Sequence, residues 1–251
     1  MNILDEIVAN TKTKLEIKKS KIDIEELLLK IDDKSMEESN FKKSLLNKDE
    51  AIIAEIKKAS PSAGIISEDF DPVSKAKEYE SFGAAALSIL TEEDYFLGSI
   101  NYLLNVREVS DLPILRKDFI IDAYQIYESK LIGADCILLI AAILSDEQLQ
   151  NFTNIADQLG LDYIIEIHDK DELSRVEIFS KAIIGVNNRD LKTFEVDINN
   201  SILLRNEFKQ DNVFVSESGI KSRKDIDMLK ENNINVFLIG ESLMKGDFFA
   251  T

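Results

Sequence analysis

The chain reads as a TIM (β/α)8 barrel with an N-terminal helical extension. Three observations predict this. Eight short apolar, β-branched runs recur from residue 51 onward. Charged stretches of helical length, such as "DPVSKAKEYESFG" and "SRKDIDMLKENN", separate them. The runs are apolar on both faces, as parallel strands covered by helices are. Eight such units in about 200 residues are the content of this barrel. A doubly wound open sheet is the alternative, but no G-x-G-x-x-G follows the first run.

The elements follow in order. Residues 1–47 are rich in Lys and Glu and contain no Gly or Pro. Ile3, Leu4, Ile7 and Val8 fit a helical stripe, as do Leu27, Leu28 and Ile31. Two or three helices are expected there, packed on another part of the molecule. The strands begin near 51 (AIIAEI), 85 (AALSIL), 112 (LPILRK), 135 (DCILLI), 162 (DYIIEI), 182 (AIIGVN), 213 (VFVSES) and 236 (VFLIGE). Several intervening stretches end in Gly or Asn, as helix C-termini do. No linker interrupts 51–251, so the division is an extension over 1–47 and a barrel domain over 48–251.

Composition narrows the function. The chain has 251 residues, 45% of them hydrophobic, enough for a sizeable core. A net charge of −17 argues against nucleic acid or an anionic membrane as partner. It would also repel an anionic substrate, so a site for one must be locally basic. The lone Cys136 excludes an internal disulfide and suits a reducing compartment. The first residues hold no secretory apolar stretch. The longest apolar run, 136–144, has nine residues, too few to span a bilayer. A soluble cytoplasmic protein is expected.

The active site of this barrel lies at the C-terminal strand ends. Alternate side chains of a strand share a face. Strand 1 therefore aims Ile53, Glu55 and Lys57 inward, and strand 3 aims Leu115 and Lys117, with Arg116 turned outward to the helices. Strand 5 offers Ile164, Glu166 and His168, strand 6 Asn187 and Arg189, and strand 7 Val215, Glu217 and Gly219. Each strand begins apolar and ends in ionisable or amide groups. A lone buried charge is costly, but a cluster of opposite charges offsets much of the cost. Glu55, Glu166 and Glu217 meet Lys57, Lys117 and Arg189, which holds lysines and carboxylates ready for proton transfer. The bland alternative, surface loop charges, does not explain the same pattern on five strands.

Two glycine turns, "SESGI" after strand 7 and "IGES" at strand 8, occupy the positions where this fold often holds phosphate. Gly lets backbone N–H groups approach a ligand closely, although a strand-to-helix turn also uses Gly. His168, the only histidine, reads as a turn residue or a group behind the site. No His/Cys/Asp spacing suggests a metal. Cys136, at the start of strand 4, reads as core. Phe96 and Phe119 follow strands 2 and 3 and are either core or a clasp for an aromatic substrate.

These residues, in this order, resemble the indole-3-glycerol phosphate synthase family over nearly the whole chain. The resemblance is carried by "AEIKKASPS" (54–62), "YFLGS" (95–99), "LRKDFI" (115–120), "IEIHD" (165–169), "GVNNRDL" (185–191), "SESGI" (216–220) and "IGESLM" (239–244). It implies closure of the pyrrole ring of 1-(2-carboxyphenylamino)-1-deoxyribulose 5-phosphate, with loss of CO2 and water, in tryptophan biosynthesis. It further implies that Lys117 is the general acid at the C2′ carbonyl, and that Lys57 holds the substrate carboxylate. Glu166 and Glu55 would handle protons in dehydration and orient the lysines, and Asn187 and Glu217 would position substrate groups. Ser60, Arg189 and Ser218 would line the site, and Phe96, Phe119 and Leu138 would form the anthranilate pocket. Backbone groups of Gly219, Gly240 and Glu241 would hold phosphate. Glu241 stands where some members carry Ser or Thr, so its side chain is expected to turn away. No cofactor or metal is implied, and a monomer is expected. Two alternatives are another phosphate-binding barrel enzyme, such as phosphoribosylanthranilate isomerase, and a non-catalytic barrel binding a phosphorylated metabolite. The first usually relies on a Cys and an Asp, and the second has no need of Glu55, Lys57, Lys117 and Glu166 together.

Overall fold

The computed structural model describes residues 3–31, 37–191 and 193–248. Eight parallel strands close into a barrel in sequential order: β1 (Ala51–Ile56), β2 (Ala86–Leu90), β3 (Ile114–Lys117), β4 (Cys136–Ile140), β5 (Asp162–Ile167), β6 (Ile183–Asn187), β7 (Phe214–Glu217) and β8 (Val236–Ile239), with β8 returning to β1. The predicted runs and strands coincide to within one or two residues. The leading residue of a run can anchor with its side chain as well as bond through its backbone. Asp135, before β4, accepts the Ile114 backbone N–H and an Arg107 N–H, both at 2.8 Å.

The strand parity expected from the sequence is present. Ala51, Ile53, Leu115, Cys136, Leu138, Ile140, Ile164, Ile183, Val215 and Leu238 fill the barrel interior. The alternate residues of the strands, such as Ala54, Ile56, Leu139, Ile165 and Ile184, pack outward under the helices in a larger cluster. Burying both faces is what makes the runs read as continuously apolar.

The helices are α4 (Pro72–Ser81), α5 (Ile100–Arg107), α6 (Ala123–Leu131), α7 (Asp146–Gln158), α8 (Lys170–Val176), α9 (Asn199–Glu207), α10 (Arg223–Glu231) and α11 (Glu241–Lys245). Most start on a side-chain cap. Asp71 accepts the Val73 N–H at 3.0 Å ahead of Pro72, and Ser145 forms a capping box with Gln148. The turns after α4 and α10 are left-handed, at Gly83 (φ 89°) and Asn233 (φ 60°).

The extension divides between the two ends of the barrel. α1 (Ile3–Lys21) lies across the C-terminal mouth, into which Ile3, Leu4 and Ile7 project. Its polar side is tied down in register. Asn10 reaches Asp94 (2.5 Å), Lys14 reaches Glu93 and Asp94 (2.9 and 2.6 Å), Lys18 reaches Glu128 (2.9 Å) and Lys19 reaches Asp122 (2.6 Å). Exposed pairs of this kind are each worth little, but spaced along one helix they fix its position. α2 (Ile24–Leu29) follows, with Leu27 packed beside Leu15 and Tyr124. α3 (Phe41–Leu46) goes to the opposite end. There Phe41 and Leu45 join the interior cluster beneath Ala51 and Ile53. The Lys42 N–H donates to Asp162 at the start of β5 (2.9 Å). Residues 1–47 were expected to be helices packed on another part of the molecule; among the described residues, the first helix lies on the mouth and the third at the opposite end.

Arg116 points outward, as its parity requires, but it is buried, with 1% exposure. Its guanidinium contacts Thr91 (3.1 Å), Asp118 (3.0 Å), Glu128 (2.8 Å), Ser129 (3.1 Å) and the Gln125 carbonyl (3.2 Å). Burial pushes the Glu128 carboxyl up, and the charges of Arg116 and Lys18 outweigh this and hold it below the ordinary range. Arg116→Leu would leave Asp118 without its cation and Glu128 with Lys18 alone, and should cost about 3–5 kcal/mol in denaturant unfolding. A depressed carboxylate contributes stability above its unfolded pKa and loses it as pH falls through the folded value. The parental chain should therefore weaken below about pH 4, and the Glu128 share of that loss should be smaller in the variant, where Lys18 alone still faces Glu128.

Candidate active site

The strand ends and α1 enclose a cavity of about 830 Å3. Its centre is the Lys117 ammonium at the end of β3. Lys117 Nζ is in contact with Glu217 Oε2 from β7 and lies 3.7 Å from Glu166 Oε2 on β5. Burial acts to lower the Lys117 pKa, and the charges of Glu217, Glu166 and Glu55 reverse this and raise it. The ammonium is thus kept charged although its side chain is only 14% exposed. A second pair, Lys57 and Glu55, stands beside it at the end of β1. Burial raises the Glu55 pKa, but the charges of Lys57 and Lys117, the Lys57 hydrogen bond and Arg189 together lower it.

Glu217 behaves differently. Burial pushes it up to about 7, with Glu166 adding to the shift and Lys117 opposing it. Its Oε1 is buried and makes no hydrogen bond. Asn187 links the carboxylates to the next loop. Its Nδ2 donates to Glu166 Oε1 (3.3 Å) and its Oδ1 accepts the Arg189 N–H (3.0 Å).

Apolar residues line one side of the cavity. The Phe96 and Phe119 rings face each other with centroids 6.0 Å apart, and Leu138 and Ile140 lie in the same wall. The opposite side holds Ser218, Gly219, Gly240 and Glu241. Ser218 (φ 66°) and Gly219 (φ 84°) are consecutive left-handed residues, a tight turn at the end of β7. Arg189, Lys221 and Lys245 also reach this side. The Glu241 carboxylate lies 2.6 Å from Lys245 Nζ and 4.0 Å from Arg189 Nη2. Ser60 sits in the loop after β1, where its Oγ accepts the Ala63 N–H (3.2 Å).

With this geometry in view, comparison with known proteins is specific. Residues 4–250 match the family model described as indole-3-glycerol phosphate synthase. The chain belongs to the indole-3-glycerol phosphate synthase family. The enzyme of that name from Endomicrobium trichonymphae is 51% identical over 252 residues, covering 99% of this chain and 96% of the relative. The one from Acetivibrio thermocellus is 51% identical over 245 residues, covering 97% and 94%. Among solved structures, the tryptophan synthase α subunit of Legionella pneumophila superposes with a TM-score of 0.60 at 13% identity, covering 83% of this chain and 88% of that one. At that identity the likeness speaks for the shared barrel fold.

The synthase-family residues singled out in the sequence converge on one cavity. Glu55, Lys57, Ser60, Phe96, Lys117, Phe119, Leu138, Glu166, Asn187, Arg189, Ser218, Gly219, Gly240 and Glu241 line it, and Glu217 sits directly behind Lys117. Cys136 is buried in the barrel interior. His168 stands outside the cavity, behind Glu166.

The sequence reading missed three features of the site. Leu191, Phe194 and Val196 come from the long loop after β6, and Asp118 from the turn after β3. Phe194 is left-handed (φ 61°), a conformation with no signature in a Phe side chain. The third is Gly185 in the middle of β6. A Cβ there would strike Glu217 Oε1 and come within 2.8 Å of Ile164 Cγ2. Gly240 does the same for Glu55, whose Cδ would lie 3.0 Å from an added Cβ. Gly240, read first as a ligand-approach glycine, therefore also makes room for a carboxylate. Gly within a run of apolar strand residues was the available signal for Gly185.

Gly185→Ala should overpack the site, costing about 1–3 kcal/mol in denaturant unfolding, and should displace Glu217 from Lys117. Unchanged stability in that variant would show that the close approach is not tight.

Proposed function

We propose that the cavity performs the synthase reaction on 1-(2-carboxyphenylamino)-1-deoxyribulose 5-phosphate through Lys117, held as an ammonium between Glu217 and Glu166. The observation that carries the reading is this buried cation, raised in pKa by its neighbours, facing an aromatic wall and a basic rim. The anthranilate ring stacks by Phe96, Phe119 and Leu138, and the phosphate lies at the backbone of Gly219, Gly240 and Glu241. The C2′ carbonyl then points at Lys117. Its oxygen becomes more basic as the ring carbon attacks, and Lys117 donates a proton there. Lys57 holds the substrate carboxylate until the C–C bond breaks and CO2 leaves. Glu166 and Glu55 move protons as the new hydroxyl departs as water, Asn187 and Glu217 position substrate groups, and Ser60, Arg189 and Ser218 complete the lining.

Glu241 fits this reading with its side chain on Lys245, leaving its backbone for the phosphate. Action as a monomer is part of the proposal. The net charge of −17 speaks against nucleic acid and anionic membranes as partners, and the lone Cys136 is consistent with the cytoplasm. The extension belongs to the catalytic unit, because α1 walls the cavity.

Losing a general acid costs about 10²–10⁴ in rate. Losing a charge that also stabilises the transition state costs more. Lys117→Ala should lower kcat at least about a thousandfold, measured by indole fluorescence, with binding of the reduced, unreactive substrate analogue weakened only modestly. Lys117→Arg should not restore it, because a guanidinium is too weak an acid. Lys58, out of phase with Lys57, should tolerate Ala. An inactive Lys58→Ala beside an active Lys117→Ala would refute both the strand parity and the mechanism.

A further inference from the structure

Glu166 lies between two openings. Its carboxylate faces the central cavity, while His168, two residues on, lines a separate groove of about 1070 Å3 with Val8 of α1, Glu172 of α8 and Asn200 of α9. Asn187 and Arg189 form the partition, lining both. His168 bridges the two sides. Its Nε2 lies 3.5 Å from Glu166 Oε1, and its Nδ1 lies 3.3 Å from Glu172 Oε2. The backbone is pinned, since Glu172 Oε2 accepts the His168 N–H at 2.7 Å and Asn200 Nδ2 donates to the His168 carbonyl at 2.9 Å. Nε2 is buried and makes no hydrogen bond, with the Glu166 carboxylate in front of it.

The chemistry needs a proton from outside. Two protons go onto the substrate's carbonyl oxygen before it leaves as water. One returns when a C1′–H bond breaks to form the pyrrole double bond. The carboxylate leaves as neutral CO2, its bonding electron pair restoring the aromatic ring. One proton per turnover must therefore come from solvent. A substrate resting against Phe96 and Phe119 under α1 stands between the ion cluster and the cavity mouth.

We propose that His168 is a positioning and relay residue that acts through Glu166, orienting its carboxylate and returning the proton to it from the second groove while substrate fills the cavity. The inference rests on the reading of Glu166 as a proton-handling group. Nε2–H of the imidazolium gives its proton to Glu166 Oε1 after a small rotation of the ring. That leaves a neutral ring with its remaining proton on Nδ1, beside Glu172; the ring then turns its bare Nε2 toward the groove, takes a proton there from solvent and swings back. The groups facing the ring favour the charged form. Burial lowers the His168 pKa, and Glu172, Glu166 and Glu217 outweigh it and raise it, with Lys117 beyond Glu166.

The full chain is assayed by indole fluorescence in three variants. Glu166→Gln should lower kcat at least about a hundredfold; parental activity there would sink the reading of Glu166 itself. His168→Gln, which fills the space but carries no proton, should lower kcat at least about tenfold with KM within about twofold. His168→Ala should regain rate on addition of imidazole, and the regained rate should follow basicity across a series of substituted imidazoles. An impaired Glu166→Gln beside a His168→Gln of parental kcat overturns the relay alone, as does a His168→Ala defect that no imidazole restores. If the His168 variants do not fold, single turnovers of the parental chain in a pH-indicator dye decide. Proton uptake in step with product fluorescence supports the relay, and uptake that waits for product release overturns it.

Discussion

A cation held out of water must be answered by anions, and the mouth of this barrel is organised around that requirement. Lys117 is answered by Glu217 and Glu166, and Lys57 by Glu55. Removing one member of such a cluster leaves the others uncompensated in a poorly solvated space. The constraint reaches into the scaffold. Gly185 and Gly240 lack a Cβ where Glu217 and Glu55 must fit. Carboxylates drawn close to Lys117 and Lys57 thus dictate a glycine within β6 and another just after β8.

The same strand ends are fixed from outside. Arg116 lies between the inward residues Leu115 and Lys117 and is bonded to Thr91, Asp118 and Glu128. Asn188 plays that part between Asn187 and Arg189. Its Nδ2 donates to Ser216 Oγ (3.0 Å) and the Ser218 carbonyl (3.1 Å), and its Oδ1 accepts from the Ser201 N–H and Oγ–H (3.0 and 2.8 Å). With the outward residue locked, its neighbours cannot rotate to the other face, because strand side chains alternate strictly. Fully satisfied polar networks of this kind rigidify what they touch. Proton transfer requires donors and acceptors held to a fraction of an ångström, and these anchors supply that precision.

Much of this was legible in the sequence because strand parity is a local property. Given a parallel strand ending in Glu55 and Lys57, or in Lys117, the direction of each side chain follows from counting. The barrel was legible for the same reason, since eight apolar runs and their helical spacers are local patterns. What was not legible depends on contacts distant in sequence. Nothing in "FKKSLL" says that Phe41 and Leu45 close the far end of the barrel, while Ile3, Leu4 and Ile7 close the near one. Gly185 makes sense only once Glu217, 32 residues on, is placed beside it. The short ladder of Ala59–Ser60 with Gly64–Ile65, in the loop after β1, also escaped notice, being too brief to show any periodicity.

A chain with a net charge of −17 has to receive, in the proposed reaction, a substrate carrying a phosphate and a carboxylate. Distance resolves the conflict. Surface charges beyond the Debye length of about 8 Å are largely screened at physiological ionic strength, whereas groups lining the cavity are not. Within that range stand Lys57, Lys117, Arg189, Lys221 and Lys245. Four of them are already engaged, Lys57 with Glu55, Lys117 with Glu217 and Glu166, and Lys245 and Arg189 with Glu241. An incoming dianion therefore competes with the protein's own carboxylates instead of meeting bare cations. Competition weakens binding of the anion itself, but it keeps the lysines oriented before the ligand arrives, so little reorganisation remains when charge develops at the carbonyl oxygen. Lys117, deepest in the cluster and held by two glutamates, gains most from this arrangement.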